Sequence, residues 1–209
     1  EMIYPDQFIP VLEKNGYVID VDNFIWNKVC ACIKMMEDKG IEPVPISVNV
    51  SRMHVYQEKF TENLKNMAGE YGIDPKYIPL EITESAFTKE EGSLFKKVQS
   101  LQGYGFKFSM DDFGSGYSSL GMLKSERVDE VKIDKTFVDD IATDKGKVLL
   151  GNVIRMINEL GIDMIAEGVE TKEQADFLKE NGCMYAQGYY YYKPMPIEEF
   201  AKLLENSAR

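Results

Sequence analysis

The sequence predicts an α/β fold of the (β/α)8 TIM-barrel type. Six short apolar, strand-like runs alternate with amphipathic helices, the order that builds a parallel sheet with right-handed crossovers. No Gly-rich nucleotide turn follows the first strand, which sets the chain apart from dinucleotide folds. Each strand ends in a polar or charged residue, at the end where a barrel keeps its active site. A closed barrel has eight strands. The sequence starts abruptly and without Met, so the expectation is one domain over residues 1–209, incomplete at its N-terminus, with its first two strands before residue 1.

Taken in order, residues 4–13 read as a loop and a short helix cut by Pro10. Residues 18–39 form a long helix, because Val21, Phe24, Ile25, Val29, Ile33 and Met36 recur at helical spacing and Gly40 stops it. Residues 45–50 are the first strand and 56–71 a helix ended by Gly72. The second strand, 77–82, follows an Asp-Pro turn and leads to a helix over 89–101. The third, 105–110, alternates bulky apolar with small or polar residues and runs into Asp111-Asp112-Phe113-Gly114-Ser115-Gly116-Tyr117. A short helix over 117–122 and a strand over 128–133 come next. The helix over 145–160 shows Val148, Leu149, Val153, Met156 and Ile157 on one face, with Gly161 as its stop. A strand over 163–166, a helix over 172–180, a strand over 185–187 and a helix over 197–205 complete the chain. Six strands leave two open edges, which predicts self-association, most simply a homodimer; a stable monomer in sedimentation would count against it.

Composition narrows the chemistry. Lys and Arg number 24 against 35 Asp and Glu, a formal charge of −11. That balance argues against a nucleic-acid polymer and against contact with an anionic membrane. No apolar run approaches a membrane span, and the expectation is a cytoplasmic protein. Cys30, Cys32 and Cys183 are odd in number and lack zinc spacing, so they read as buried small hydrophobes in a reducing compartment. With His54 the only histidine, the composition argues against a zinc site built on His or Cys and against a Ser-His-Asp triad. A metal here needs oxygen ligands, which favours Mg²⁺ or Mn²⁺.

The strand ends supply those ligands. In order they carry Asn49, then Glu81 with Glu84 beyond, then Asp111 and Asp112, Lys132 with Asp134 beyond, Glu167, and Gln187. Adjacent carboxylates repel, and a ring of them at buried strand ends requires cations. Asn49, Glu81, Asp111, Asp112 and Glu167 offer enough oxygens for two hard cations, with Lys132 a fixed charge among them. This inventory suits metal-assisted phosphodiester hydrolysis. The plainer readings are an Asp-Gly turn, a strand-end Asn, an edge lysine, and helix-start carboxylates at Glu84 and Glu170. For Glu170 the plain reading is preferred.

The chain resembles the EAL-domain phosphodiesterases of bacterial cyclic-di-GMP signalling. The resemblance rests on Phe8-Ile9-Pro10, Ser47-Val48-Asn49-Val50-Ser51, Leu80-Glu81-Ile82-Thr83-Glu84-Ser85, Asp111 to Leu120, Val131-Lys132-Ile133-Asp134, Ala166-Glu167-Gly168-Val169-Glu170-Thr171 and Gln187-Gly188-Tyr189, in family order. It implies a modified barrel whose first strand runs antiparallel, and hydrolysis of cyclic-di-GMP to linear pGpG with Mg²⁺ or Mn²⁺. It implies that Asn49, Glu81 and Asp111 ligate one metal, and that Asp111, Asp112 and Glu167 serve a second. Glu167 also stands where the family has been given a general base. Lys132 would stabilise the attacking water, Glu84 would brace the loop after the Asp pair and link it to a dimer interface, and Gln187 would complete the site. Ser51 and Pro194 fall at positions expected to meet substrate. The full-length protein would carry an upstream sensor or GGDEF domain. The Glu-Ala-Leu signature itself is absent from this sequence, and the resemblance places it upstream. His54 replaces a usual Gln, and Tyr192-Lys193-Pro194 replaces Ser-Arg-Pro. The alternative is an inactive cyclic-di-GMP receptor or a regulatory, dimerising domain. A Mg²⁺-dependent barrel lyase shares the carboxylates but does not predict the Asp pair before Gly-Ser-Gly.

Overall fold

The structure is a computed structural model and describes residues 3–83, 91–114, 123 and 128–207. It divides into two compact units. The first comprises Glu1–Ile82, Glu91–Lys107 and Ile197–Arg209, the second Thr83–Glu90 and Phe108–Pro196. The expected helix over 117–122 and Glu84 lie outside the described residues.

In the first unit, α1 (Pro5–Asn15) begins with Pro at its first position, where a missing N–H costs nothing, and ends at Gly16 in the left-handed conformation. Pro10 does not cut it, a correction to the sequence reading. A proline inside a helix removes one intrahelical bond and crowds the carbonyl four residues back, a local cost that the remaining turns of α1 absorb. Helix α2 (Val18–Asp38) packs on α1, on β1 (Val48–Asn49) and on α4 (Phe60–Tyr71). Its inward stripe is Val18, Asp22, Trp26, Val29, Cys30, Ile33 and Met36, whereas Phe24 and Ile25, expected on it, are exposed. The helix expected over 56–71 starts only at Phe60, and a short helix that was not expected precedes it. Ser51 caps the four-residue α3 (Arg52–Val55) by accepting from the Met53 N–H, and a turn separates it from α4. The turn is held by Lys97 of α5 (Glu91–Gln102), whose ammonium donates to the Gln57 carbonyl at 2.8 Å. Strand β2 (Leu80–Thr83) pairs parallel with β1, Val48 opposite Leu80 and Asn49 opposite Glu81. Leu80, Ile82, Leu64, Leu94 and Ala201 of α9 (Ile197–Ser207) are among the unit's buried side chains.

The second unit is a four-stranded parallel sheet in which β3 (Phe108–Phe113), β4 (Glu130–Ile133), β5 (Asp163–Ala166) and β6 (Tyr185–Ala186) pair in sequence order. Helices α6 (Lys135–Asp139) and α7 (Asp144–Glu159) make the crossover from β4 to β5, and α8 (Lys172–Glu180) that from β5 to β6. One apolar cluster joins Met110, Val131, Ile133, Met164 and Ala166 of the strands to Leu150, Ile154 and Ile157 of α7 and Leu178 of α8. Thr143 caps α7 and Thr171 caps α8, each accepting a backbone N–H three residues on. Val148 and Leu149, expected on the inward face of α7, are exposed; the buried stripe runs through Leu150, Ile154 and Ile157 instead.

Candidate metal centre

A regular strand sends alternate side chains to opposite faces, so two consecutive residues cannot share a site. Strand β3 breaks that rule at the Asp pair. Its register with β4 shifts between Met110 and Phe113, and Asp112 has φ +56°. A bulge with one residue in the left-handed region re-aims side chains in this way. Asp111, Asp112 and Glu167 thereby each present a carboxylate oxygen within 4.8 Å of the others, all at intermediate burial.

Glu167 follows β5 directly, its N–H donating to the Ile133 carbonyl at 3.0 Å. Lys132 rises from β4 with only 5% of its surface exposed. Its ammonium lies 2.5 Å from Glu167 Oε1 and 3.6 Å from Asp111 Oδ1. Gln187, just past β6, donates from Nε2 to the same Glu167 Oε1 at 2.7 Å. Two donors on one oxygen fix the carboxylate plane. Asp111, Asp112, Lys132, Glu167 and Gln187 are therefore one cluster, assembled by the ends of four adjacent strands.

The loops beneath Glu167 and Gln187 are stitched together. The Val169 N–H donates to the Gln187 carbonyl, and the Tyr190 N–H donates back to the Val169 carbonyl. Gly188 makes this approach possible, since a Cβ there would run into the Val169 backbone N and O. Glu170 belongs to structure, pairing with Lys135 at 2.6 Å before α8, and Asp134 caps α6.

In the first unit, Asn49 and Glu81 are register partners and so project from the same face of β1 and β2. Glu81 is buried and Asn49 exposed. Ser51 is spent on capping α3, and Pro194 is exposed in the segment before α9. Sequence reasoning missed Asp22 and Trp26. The Trp26 indole donates to the Asn49 carbonyl at 2.9 Å, and Asp22 Oδ2 accepts from the Ser51 N–H at 3.2 Å.

The residues fit a hard divalent cation. The donors are carboxylate oxygens, the ligand type such a cation takes, and they lie close enough together to share one. A parallel α/β sheet with a carboxylate cluster at the C-terminal strand ends, able to take a metal, defines a barrel-type class of protein.

The chain belongs to the EAL domain family, which matches residues 1–194. It is 34% identical over 201 residues to the signaling protein YkoW of Bacillus subtilis (strain 168), covering 96% of this chain and 25% of that protein. To the probable cyclic di-GMP phosphodiesterase PdeG of Escherichia coli (strain K12) it is 33% identical, covering 97% of this chain and 40% of that protein. The solved PaMucR phosphodiesterase in complex with c-di-GMP matches with TM-score 0.89 at 31% identity, over 95% of this chain and 81% of that one. The EAL domain of Mycobacterium smegmatis DcpA matches with TM-score 0.84 at 30% identity, over 90% and 84%. These likenesses agree with the expected fold class, α/β of the TIM-barrel type. The chain spans between 24% and 40% of the length of these and similar curated relatives. No helix among the described residues is long and apolar enough to cross a membrane.

Proposed function

We propose that this chain is a cyclic-di-GMP phosphodiesterase domain using Mg²⁺ or Mn²⁺. The observation that carries the reading is the convergence of Lys132 and Gln187 on one oxygen of Glu167, beside Asp111 and Asp112. When bound, the metal would polarise the phosphodiester and make a coordinated water acidic. Asp111, Asp112 and Glu167 would hold it, and Asn49 and Glu81 are proposed ligands by motif. Lys132 keeps a positive charge where negative charge develops on phosphorus, and its ammonium orients the water and Glu167 together. Glu167, with one oxygen held by two donors, offers the other to the water's proton. The water oxygen forms a new bond to phosphorus, the P–O3′ bond breaks, and the 3′ oxygen leaves as an alkoxide that takes its proton from solvent, giving pGpG.

A cytoplasmic setting suits the three free, buried cysteines. The test is chromatographic assay of cyclic-di-GMP turnover with Mn²⁺ or Mg²⁺, on this chain and its Asp111→Ala variant. Turnover by the parent and its loss in the variant is the expected result. Binding of cyclic-di-GMP without turnover would replace the enzyme with a receptor.

A further inference from the structure

Asn49 depends for its position on a two-residue strand, which by itself fixes little. Beside that strand, helix α2 places two polar side chains on its buried face, where apolar ones belong. Trp26, 2% exposed, donates its indole N–H to the carbonyl of Asn49 itself. Asp22, 7% exposed, takes the N–H of Ser51, two residues on. The backbone is thus held on both sides of Val50, at the Asn49 carbonyl and the Ser51 N–H, by groups one helical turn apart on α2. The His54 ring locks the arrangement from the other side. It is 1% exposed, its centroid is 4.5 Å from that of Trp26, and its Nε2 sits 3.1 Å from Asp22 Oδ2, outside hydrogen-bonding geometry. Phe60 closes the group, 5.6 Å from His54.

We propose that Asp22 and Trp26 are positioning residues for Asn49. They touch no reacting atom; they set the backbone path of Asn49, a ligand by motif in the proposed function. The inference rests on the metal-dependent phosphodiesterase reading above. A plain packing role predicts that losing either polar group lowers stability and nothing else. A positioning role predicts that a still-folded chain, besides any loss of stability, also binds metal more weakly, because ligand orientation by neighbouring hydrogen bonds is worth about 10–100-fold in metal affinity.

Three variants of the full chain separate these. Trp26→Phe keeps an aromatic ring and removes the N–H. Asp22→Leu removes the acceptor, and Asp22→Asn keeps an oxygen for the Ser51 N–H. Each is titrated with Mn²⁺ while free aquo-Mn²⁺ is followed by electron paramagnetic resonance, and each is melted without metal. The expected result is about tenfold weaker Mn²⁺ binding in Trp26→Phe and Asp22→Leu. Asp22→Asn should bind like the parent, and Asn49→Ala should show the same weakening. In turnover, saturating Mn²⁺ should return most of kcat to Trp26→Phe. Parental Mn²⁺ affinity in both Trp26→Phe and Asn49→Ala overturns the ligand role and the positioning role together. Parental affinity in Trp26→Phe and Asp22→Leu, with Asn49→Ala weakened, overturns positioning alone. A parent chain that binds no Mn²⁺ overturns the metal-dependent reading and this inference with it.

Discussion

Asp112 has two roles that different substitutions can separate. Its carboxylate belongs to the metal cluster, and its backbone is the one non-glycine position among the described residues with positive φ. Asp and Asn tolerate the left-handed region because a short polar side chain compensates locally; a β-branched residue there is an outlier. Asp112→Asn should therefore melt no lower than the parent and lose activity by roughly 100-fold, since it keeps the backbone and removes one of the crowded charges. Asp112→Val should lose both, with a penalty on the order of 1–3 kcal/mol. Circular dichroism melts alongside the chromatographic assay check the pair, and an active Asp112→Asn enzyme would remove Asp112 from the metal site. The Asp pair was legible in the sequence because two adjacent carboxylates before Gly-x-Gly are electrostatically odd at a strand end. The bulge that makes both useful was not, because strand alternation assumes a regular ladder. Asp22 was illegible for a related reason: periodicity counts apolar residues, and an acid on the buried stripe of α2 simply drops out of the count. The cysteines are the buried small hydrophobes that their number and spacing predict. All three are free and buried, and burial pushes the Cys30 thiol up to about 11.

Gly188 shows how two loops make one site. It lies between Gln187, which holds Glu167, and the tyrosines that follow, and the Val169 backbone occupies the space a side chain would need. Gly188→Ala must push the loops after β5 and β6 apart, at a cost of about 1–3 kcal/mol for the overpacking. Because the same displacement carries Gln187 away from Glu167, kcat should fall beyond what the stability loss explains. Activity measured well below the variant's melting temperature decides this; full activity there would mean the stitched loops do not position Glu167. That all six strands exist was legible, since runs rich in Val, Ile and Phe between turn residues have few other uses. Their lengths were not. The run over 45–50 contributes only Val48 and Asn49 to a ladder, although Ile46 still donates to the Tyr77 carbonyl. Helix faces failed where two apolar residues adjoin, as at Phe24-Ile25 and Val148-Leu149, because spacing alone cannot say which way the stripe drifts. The split between α3 and α4 depends on Ser51 as a cap and on Lys97 reaching in from α5, a long-range contact no local pattern carries.

At the scale of the whole molecule, the order of elements announced the barrel class, and the charge of −11 sets how the molecule should answer to metal. Like charges destabilise a compact chain, most where they are crowded, and the most crowded group described is Asp111, Asp112 and Glu167. An ion that binds only the folded state stabilises by mass action, by about 2.7 kcal/mol at a hundred times its dissociation constant. For a chain of this length, each kcal/mol moves the melting temperature by about 2–4 °C, so saturating Mn²⁺ should raise it by about 5–10 °C. Simple screening of surface charge would also raise it, but NaCl at matched ionic strength would then do as well, because the Debye length answers to salt and not to coordination. The decisive comparison is Asp111→Ala: it keeps all but one of the molecule's negative charges and loses a ligand at the centre of the cluster. The parent should gain stability with Mn²⁺ well beyond the NaCl control, and Asp111→Ala should gain no more than that control. An equal Mn²⁺ response in both proteins would place the stabilising ion elsewhere on the acidic surface, and would leave the carboxylate cluster without its cation.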